Sequence, residues 1–285
     1  MIAAAVATQF SEGPRPECRS PLPHLLLAAS LLLGGCASGA GDSFTLQADL
    51  PANFKFTGDA YYVPAPGETC SVPERIGGRR PDRKFFESDY EAAAHRVEFQ
   101  VPLRDKVRGC PLVLRSMRIE LDAKWTDRKF GRNWRDTGGD VASLSFRDAL
   151  PANYPGMPAS GLRAVEGQCH WMFRTVGPQR YIIKLLKCQA LEDGQVQKWK
   201  PGAVLQRDQL PGKTVRLVIG MSEEEEPYYR GWWLRTPEGW RPCTGRWGTK
   251  NEERCTEPPQ FTDFKLPDGR TCTVYPTCTE QESRP

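Results

Sequence analysis

A short apolar run near the start of the chain indicates the compartment in which the rest of the chain folds. The run, Leu25–Leu33, carries no charge and is followed by Gly34-Gly35-Cys36. It is too short to cross a bilayer as a helix, which takes about 20 residues, but it is typical of the hydrophobic core of a secretory signal. We therefore predict a signal peptide over residues 1–35 and a folded part that matures in an oxidising compartment.

The residues that close the run, Leu33-Gly34-Gly35-Cys36, resemble a bacterial lipobox. This resemblance implies cleavage before Cys36 and attachment of lipid to its sulfur; the alternative is an ordinary signal peptide followed by an unrelated Cys. Residues 36–43 are mostly small and are predicted to form a flexible lipid tether. Residue 37 is Ala, whereas an Asp there would resemble an inner-membrane retention signal. The predicted location is therefore the periplasm, with the chain lipid-anchored to the outer membrane.

Eight cysteines follow Cys36, and an even number in an exported chain indicates disulfides. They are Cys70, Cys110, Cys169, Cys188, Cys243, Cys255, Cys272 and Cys278. We predict that nearest neighbours pair, as 70–110, 169–188, 243–255 and 272–278. No Cys-x-x-Cys pair occurs, and His95 and His170 are the only histidines after Cys36. The sequence therefore predicts no metal site and no cofactor.

Charge is nearly balanced over the chain as a whole. The net charge of +4 over 285 residues is too small to indicate a nucleic-acid partner. One local excess occurs at 75–84, where five basic side chains stand against Asp82. This stretch suits lipid phosphates, and a solvated loop is the alternative.

The patterning beyond the tether is that of β-strands. Apolar and polar residues alternate, or apolar residues run together, at 54–63, 95–103, 112–125, 141–146, 169–176, 181–191 and 214–221, and residues 232–240 suit a hairpin. Within 112–125 the apolar positions shift from even to odd at Arg115-Ser116, which indicates a β-bulge. No long segment keeps a period of 3.6 residues, so the predicted fold class is all-β.

Two domains are predicted from a short internal repeat. Leu50-Pro51-Ala52-Asn53-Phe54 recurs at 150–154 with Tyr in place of the final Phe. Residues 151–161 are rich in Pro and Gly, as in a linker. We predict two tandem β-sandwich-like domains, 44–150 and 151–285. The second ends in a disulfide-rich tail with few apolar residues, held by its bridges instead of by a core.

The most unusual stretch is 223–233, in which four consecutive acids precede four aromatic residues. Like charges repel, so the acids are expected in a loop or at a strand end. Exposed Tyr and Trp beside charge are typical of protein-binding surfaces. The predicted partner-binding residues are Glu223, Glu224, Glu225, Glu226, Tyr228, Tyr229, Trp232 and Trp233. The alternative is a solvated turn whose aromatic side chains divide between two faces of a hairpin.

Several stretches resemble the lipoproteins that serve as immunity proteins beside phospholipase D-type effectors of type VI secretion. They are Tyr61-Tyr62-Val63-Pro64 with Cys70, 140–148, 173–178, 206–210, 223–231, and 267–270 through 279–280. The resemblance implies a protein that binds and inhibits a toxic phospholipase, with no catalytic residues of its own. The alternatives are a structural or cell-wall-glycan-binding envelope lipoprotein and, third, a lipid-hydrolysing enzyme. No catalytic motif supports the third.

Overall fold

Strands account for nearly all the regular structure of the computed structural model, which describes residues 42–125, 137–245 and 255–278. The predicted signal peptide, Cys36 and the tether up to residue 41 lie outside the described residues. The described tether ends at Asp42, since the first strand already begins at Ser43. The described residues contain no helix that is long and apolar enough to cross a membrane.

Seventeen strands follow one another along the described residues. They are β1 (Ser43–Leu50), β2 (Phe54–Pro64), β3 (Arg83–Glu87), β4 (His95–Pro102), β5 (Arg104–Val107), β6 (Cys110–Lys124), β7 (Thr137–Arg147), β8 (Leu162–Val176), β9 (Tyr181–Glu192), β10 (Gln195–Val196), β11 (Gly202–Gln206), β12 (Thr214–Met221), β13 (Glu226–Pro227), β14 (Trp233–Thr236), β15 (Gly239–Pro242), β16 (Phe264–Lys265) and β17 (Thr271–Cys272). Two 3-10 turns, Arg207–Gln209 and Arg230–Trp232, complete the regular structure there. The predicted all-β class is confirmed.

Two sheets and one hairpin hold these strands. The larger sheet has the order β17-β16-β9-β8-β12-β1-β4, with β10 beside β9 and β13 beside β8. The smaller has the order β11-β7-β6-β2-β3, with β5 beside β6, and β14–β15 stand apart as a hairpin.

The predicted split into tandem domains at 150/151 is wrong. Strand β1 pairs in parallel with β12, and β11 pairs in parallel with β7, so each sheet combines strands from both sides of residue 150. Residues 39–285 form one unit. The prediction failed because alternation shows which face of a strand is buried but says nothing about which strand lies beside it.

The inner faces of the two sheets form one main core. Strand β1 alternates strictly, with Phe44, Leu46, Ala48 and Leu50 buried. The ring of Phe44 lies 5.6 Å from that of Phe146 in the facing sheet, between ring centroids. Burial of such side chains contributes about 1.5–3 kcal/mol each, so this core is the main source of stability.

The β-bulge predicted at Arg115-Ser116 is present. In the β2–β6 ladder Tyr61 pairs with Ser116, whereas Tyr62 pairs with Leu114, so Arg115 is the extra residue. The bulge keeps apolar side chains on the inner face on both sides of it.

All four predicted disulfides are present: Cys70–Cys110, Cys169–Cys188, Cys243–Cys255 and Cys272–Cys278. The first ties the β2–β3 connection to the start of β6, and the second joins opposite residues of β8 and β9. Several disulfides are compatible with an oxidising, non-cytoplasmic compartment.

The sandwich has two distinct ends. At the tether end, Asp42 leads into β1, and the parallel strands β8 and β12 begin beside it, with Leu162 opposite Thr214. At the acidic end, β13 lies beside Met172 of β8. Ten residues of β8 separate Leu162 from Met172, a rise of about 33 Å at the usual spacing.

A second, smaller core closes the acidic end. It consists of Phe173, Ile182, Trp233, Phe264, Cys272 and Tyr275. The buried Arg180 guanidinium fastens the tail by donating to the carbonyl oxygens of Cys243, at 3.1 Å, and Thr244, at 2.9 Å. The prediction that the tail has disulfides but no core is therefore wrong, because its few aromatic residues pack against β8 and β9.

Candidate functional site

The acidic run leaves the sheet just after β12 and rejoins it as β13. Glu223 and Glu224 are exposed, whereas Glu225 and Glu226 are half-buried. Glu226 pairs in parallel with Met172 of β8. The acidic run thus lies in a loop that leads into a short strand, as predicted.

Glu225 is held from two sides and is an internal tie. The Lys184 ammonium donates to its carboxylate across 2.5 Å, and the Tyr275 hydroxyl donates to the other carboxylate oxygen. Burial, with the nearby Glu225 charge, raises the pKa of Tyr275, so this hydroxyl keeps its proton. The contact joins the acidic run to the tail. Glu225 is consequently a poor candidate for direct partner contact.

Glu226 is neutralised within its own segment. Arg230, four residues on, donates to its carboxylate at 2.9 Å. That hydrogen bond lowers the pKa of Glu226. Among the described residues, Glu223 and Glu224 have no cationic side chain within 4 Å. The uncompensated negative charge of the run therefore lies on these two side chains.

The four aromatic residues divide between surface and core. Tyr228 is 43% exposed and meets the edge of the Tyr229 ring at 4.8 Å, between centroids. Tyr229 and Trp232 are half-buried, with centroids 5.3 Å apart. Trp233 is only 3% exposed and packs against Phe173 at 5.0 Å in the second core. Its assignment as a partner-binding residue is wrong, because the preceding 3-10 turn directs it inward.

A cleft of about 550 Å³ opens beside the acidic run. The acids line it together with Lys184, Arg230, Arg235, Trp240 and Tyr275. Trp240 and Tyr275 were not identified from the sequence, because they come from the hairpin and the tail and meet the run only in the fold. Their sequence signal was the presence of aromatic residues in an otherwise polar C-terminal region.

A second cleft, of about 680 Å³, lies against the same segment and has the opposite character. Its cationic lining comes from Arg174, Lys184, Lys187 and Lys200, and Asp140 is the one carboxylate among its described lining residues. The Arg174 guanidinium lies 5.6 Å from the centroid of the Tyr228 ring. Tyr228 thus lines the cationic cleft, and its chain neighbour Pro227 lines the acidic one.

His170 is half-buried on β8. Burial, followed by the charge of Lys187, lowers its pKa below the ordinary 6.5. The described residues contain no group of three His, Cys, Asp or Glu side chains placed to hold a metal ion.

The site thus combines one exposed aromatic side chain with two acids that have no cation within 4 Å among the described residues, beside a cleft whose charged lining is mainly cationic. No protein-family model, curated protein or solved structure matches this chain.

Proposed function

We propose that this chain is an immunity protein of the periplasm, anchored to the outer membrane through lipid on Cys36, that binds and inhibits a phospholipase D-type effector of type VI secretion. The lipobox-like residues and the resembling stretches support this proposal from the sequence. The disulfides are compatible with the compartment it requires.

The observation that carries the proposal is the exposed surface of the run: Glu223 and Glu224 line the acidic cleft, and Tyr228 lines the cationic one. An enzyme that acts on phospholipid headgroups binds a phosphate, so its active-site mouth is expected to be electropositive. Two uncompensated carboxylates would steer the inhibitor towards such a mouth and raise the association rate. Tyr228 would supply a buried anchor once bound.

The half-buried side chains have a supporting role in this proposal. Tyr229 supports Tyr228 edge-on, and Trp232 supports Tyr229 in turn. Glu225 fixes the run through Lys184 and Tyr275. Pre-ordering of this kind lowers the entropic cost of binding.

The test is the kinetics of binding to the phospholipase-type effector encoded beside this protein, measured at two salt concentrations. The double variant Glu223→Gln/Glu224→Gln should associate several-fold more slowly at low salt, with a weaker salt dependence. The matched control Glu68→Gln/Glu74→Gln removes two exposed acids at the tether end and should leave the association rate nearly unchanged. Tyr228→Ala should raise the dissociation rate about tenfold.

Equal association rates for the double variant and its control, with both folded, would show that the inhibitory surface lies elsewhere. A genome in which no phospholipase gene and no secretion spike gene lies nearby would count against the proposal. A protein that leaves the effector active and instead sediments with insoluble cell-wall glycan would support the envelope-lipoprotein alternative.

A further inference from the structure

The tether end carries a concentration of cations on two neighbouring segments. Residues 75–84 hold five basic side chains, and the β5–β6 hairpin adds Arg104, Lys106 and Arg108. The carboxylates among them are already neutralised: Asp82 by Arg80 at 2.8 Å, and Asp105 by Lys84 at 3.1 Å. The Lys84–Asp105 pair also joins the two segments into one surface.

Four of these cations are available to a ligand. Arg75, Arg79, Lys106 and Arg108 are exposed. Within the part of the chain that the structure describes, none of the four has a carboxylate within 4 Å. These four side chains are therefore not held in ion pairs, although the exposed Glu74, next to Arg75 in the chain, offsets part of the positive charge.

An apolar tip stands among these cations. Ile76 and Arg79 bridge as a tight hairpin whose two central residues, Gly77 and Gly78, both have positive φ. Ile76 is 36% exposed at this tip. The Cys70–Cys110 disulfide ties the segment to the β5–β6 hairpin. An apolar side chain surrounded by cations on a fixed support is the arrangement that lies at a membrane interface.

The same end is where the chain arrives from its N-terminal tether. The Leu103 N–H donates to the carbonyl oxygen of Asp42 at 2.8 Å, and the Asp42 carboxylate lies 3.7 Å from Arg104. Asp42 lies six positions after Cys36, so even a fully extended tether spans at most about 22 Å. Lipid attached to Cys36 would hold this end close to the bilayer.

We propose that the tether end is a membrane-contact surface, in which Arg75, Arg79, Lys106 and Arg108 bind the headgroup phosphates of anionic lipids and Ile76 enters the interface. The orientation on a membrane rests on the proposed lipidation of Cys36, whereas affinity for the lipid surface rests on these residues alone. Glu223, Glu224 and Tyr228 then face away from the bilayer, towards an incoming protein.

The test uses the chain from residue 37 onward, which contains every described residue, exported behind an ordinary secretory leader so that no lipid is attached. Its sedimentation is measured with vesicles of phosphatidylcholine alone and with vesicles that also contain phosphatidylglycerol. Binding is expected only to the second kind and should weaken as salt rises.

The decisive variant replaces the four available cations with Gln. Because each cation near an anionic surface is worth about 1 kcal/mol, we expect at least about a tenfold loss of vesicle binding. The control replaces four cations remote from the tether end with Gln: Lys55, Lys124, Arg235 and Lys265. Ile76→Ser should lower binding less, and thermal unfolding confirms that each variant is folded.

Binding that is unchanged in the decisive variant, lost equally in the control, or equal on both kinds of vesicle would overturn the proposal. Inhibition of the effector in solution should survive the decisive variant. Failure of lipid binding and failure of inhibition are therefore separate results.

Discussion

The two ends of the sandwich share the same long strands, but different segments of the chain cover them. At the tether end, tight turns and one disulfide hold a cationic surface directly on the main core. At the acidic end, a separate aromatic core and two small disulfide loops carry an acidic run. The difference shows that one sandwich can carry a cationic surface at one end and an acidic run about 33 Å away along β8.

The strongest test of this contrast is removal of the centre of the second core. Trp233 is enclosed by Phe173 and Phe264, so Trp233→Ala should cost about 4 kcal/mol locally. Hydrogen exchange should show faster exchange in β14, β15 and residues 264–275, with β1 and β6 still protected.

The comparison variant is Phe146→Ala in the main core, beside Phe44. It should lower protection in both sheets together. If Trp233→Ala loosened β1 and β6 to the same extent, the acidic end would not be a separate unit of stability, and the contrast between the ends would fail.

A smaller effect is expected where the tail meets the acidic run. Tyr275→Phe removes only the hydroxyl that donates to Glu225 and leaves a half-buried carboxylate with Lys184 alone. A hydrogen bond to a charged group contributes about 2 kcal/mol, so the urea midpoint should fall accordingly. Tyr228→Phe, on an exposed ring, is the matched control and should not change the midpoint. Equal midpoints for the two variants would show that the tie is not stabilising.

The smallest effect concerns pH. The pKa of His170 in the folded chain is below its unfolded value of 6.5, so the unfolded chain binds more protons as the pH falls below 6.5. Stability present above pH 6.5 is then lost as the pH falls through the lowered folded pKa. His170→Gln should flatten this part of the stability–pH curve, measured by urea unfolding, and should have little effect at pH 8, where the imidazole is neutral in both states. An unchanged slope would assign the acid sensitivity to other groups.

Local features of the sandwich were accessible from the sequence. Alternation places most of the long strands, and the shift at Arg115 locates the bulge because a one-residue slip would turn every later side chain outward. Nearest-neighbour pairing of the cysteines succeeds because each bridge closes a loop within one local region. Strand β1 was missed although its alternation, Phe44-x-Leu46-x-Ala48-x-Leu50, is regular.

Contacts between distant segments were not accessible. Nothing local to Glu225 shows that Tyr275 and Lys184 meet it. Period-two patterning cannot decide whether Trp232 or Trp233 is buried, because a 3-10 turn ends at Trp232. Of the predicted partner-binding residues, the structure leaves Glu223, Glu224 and Tyr228 exposed, whereas the internal tie at Glu225 and the burial of Trp233 depend on the tertiary fold.

The parallel pairing of β1 with β12 has a consequence for how the chain folds. Gln47 and Arg216 are neighbours in that ladder and are 169 residues apart in sequence. A chain that emerges from a translocation channel with its N-terminus first exposes β1 long before β12 arrives, so one edge of β1 stays open for most of synthesis and export. Contacts of such high sequence separation slow folding, and an open apolar edge strand invites aggregation. This edge of β1 is therefore protected only after β12 has emerged.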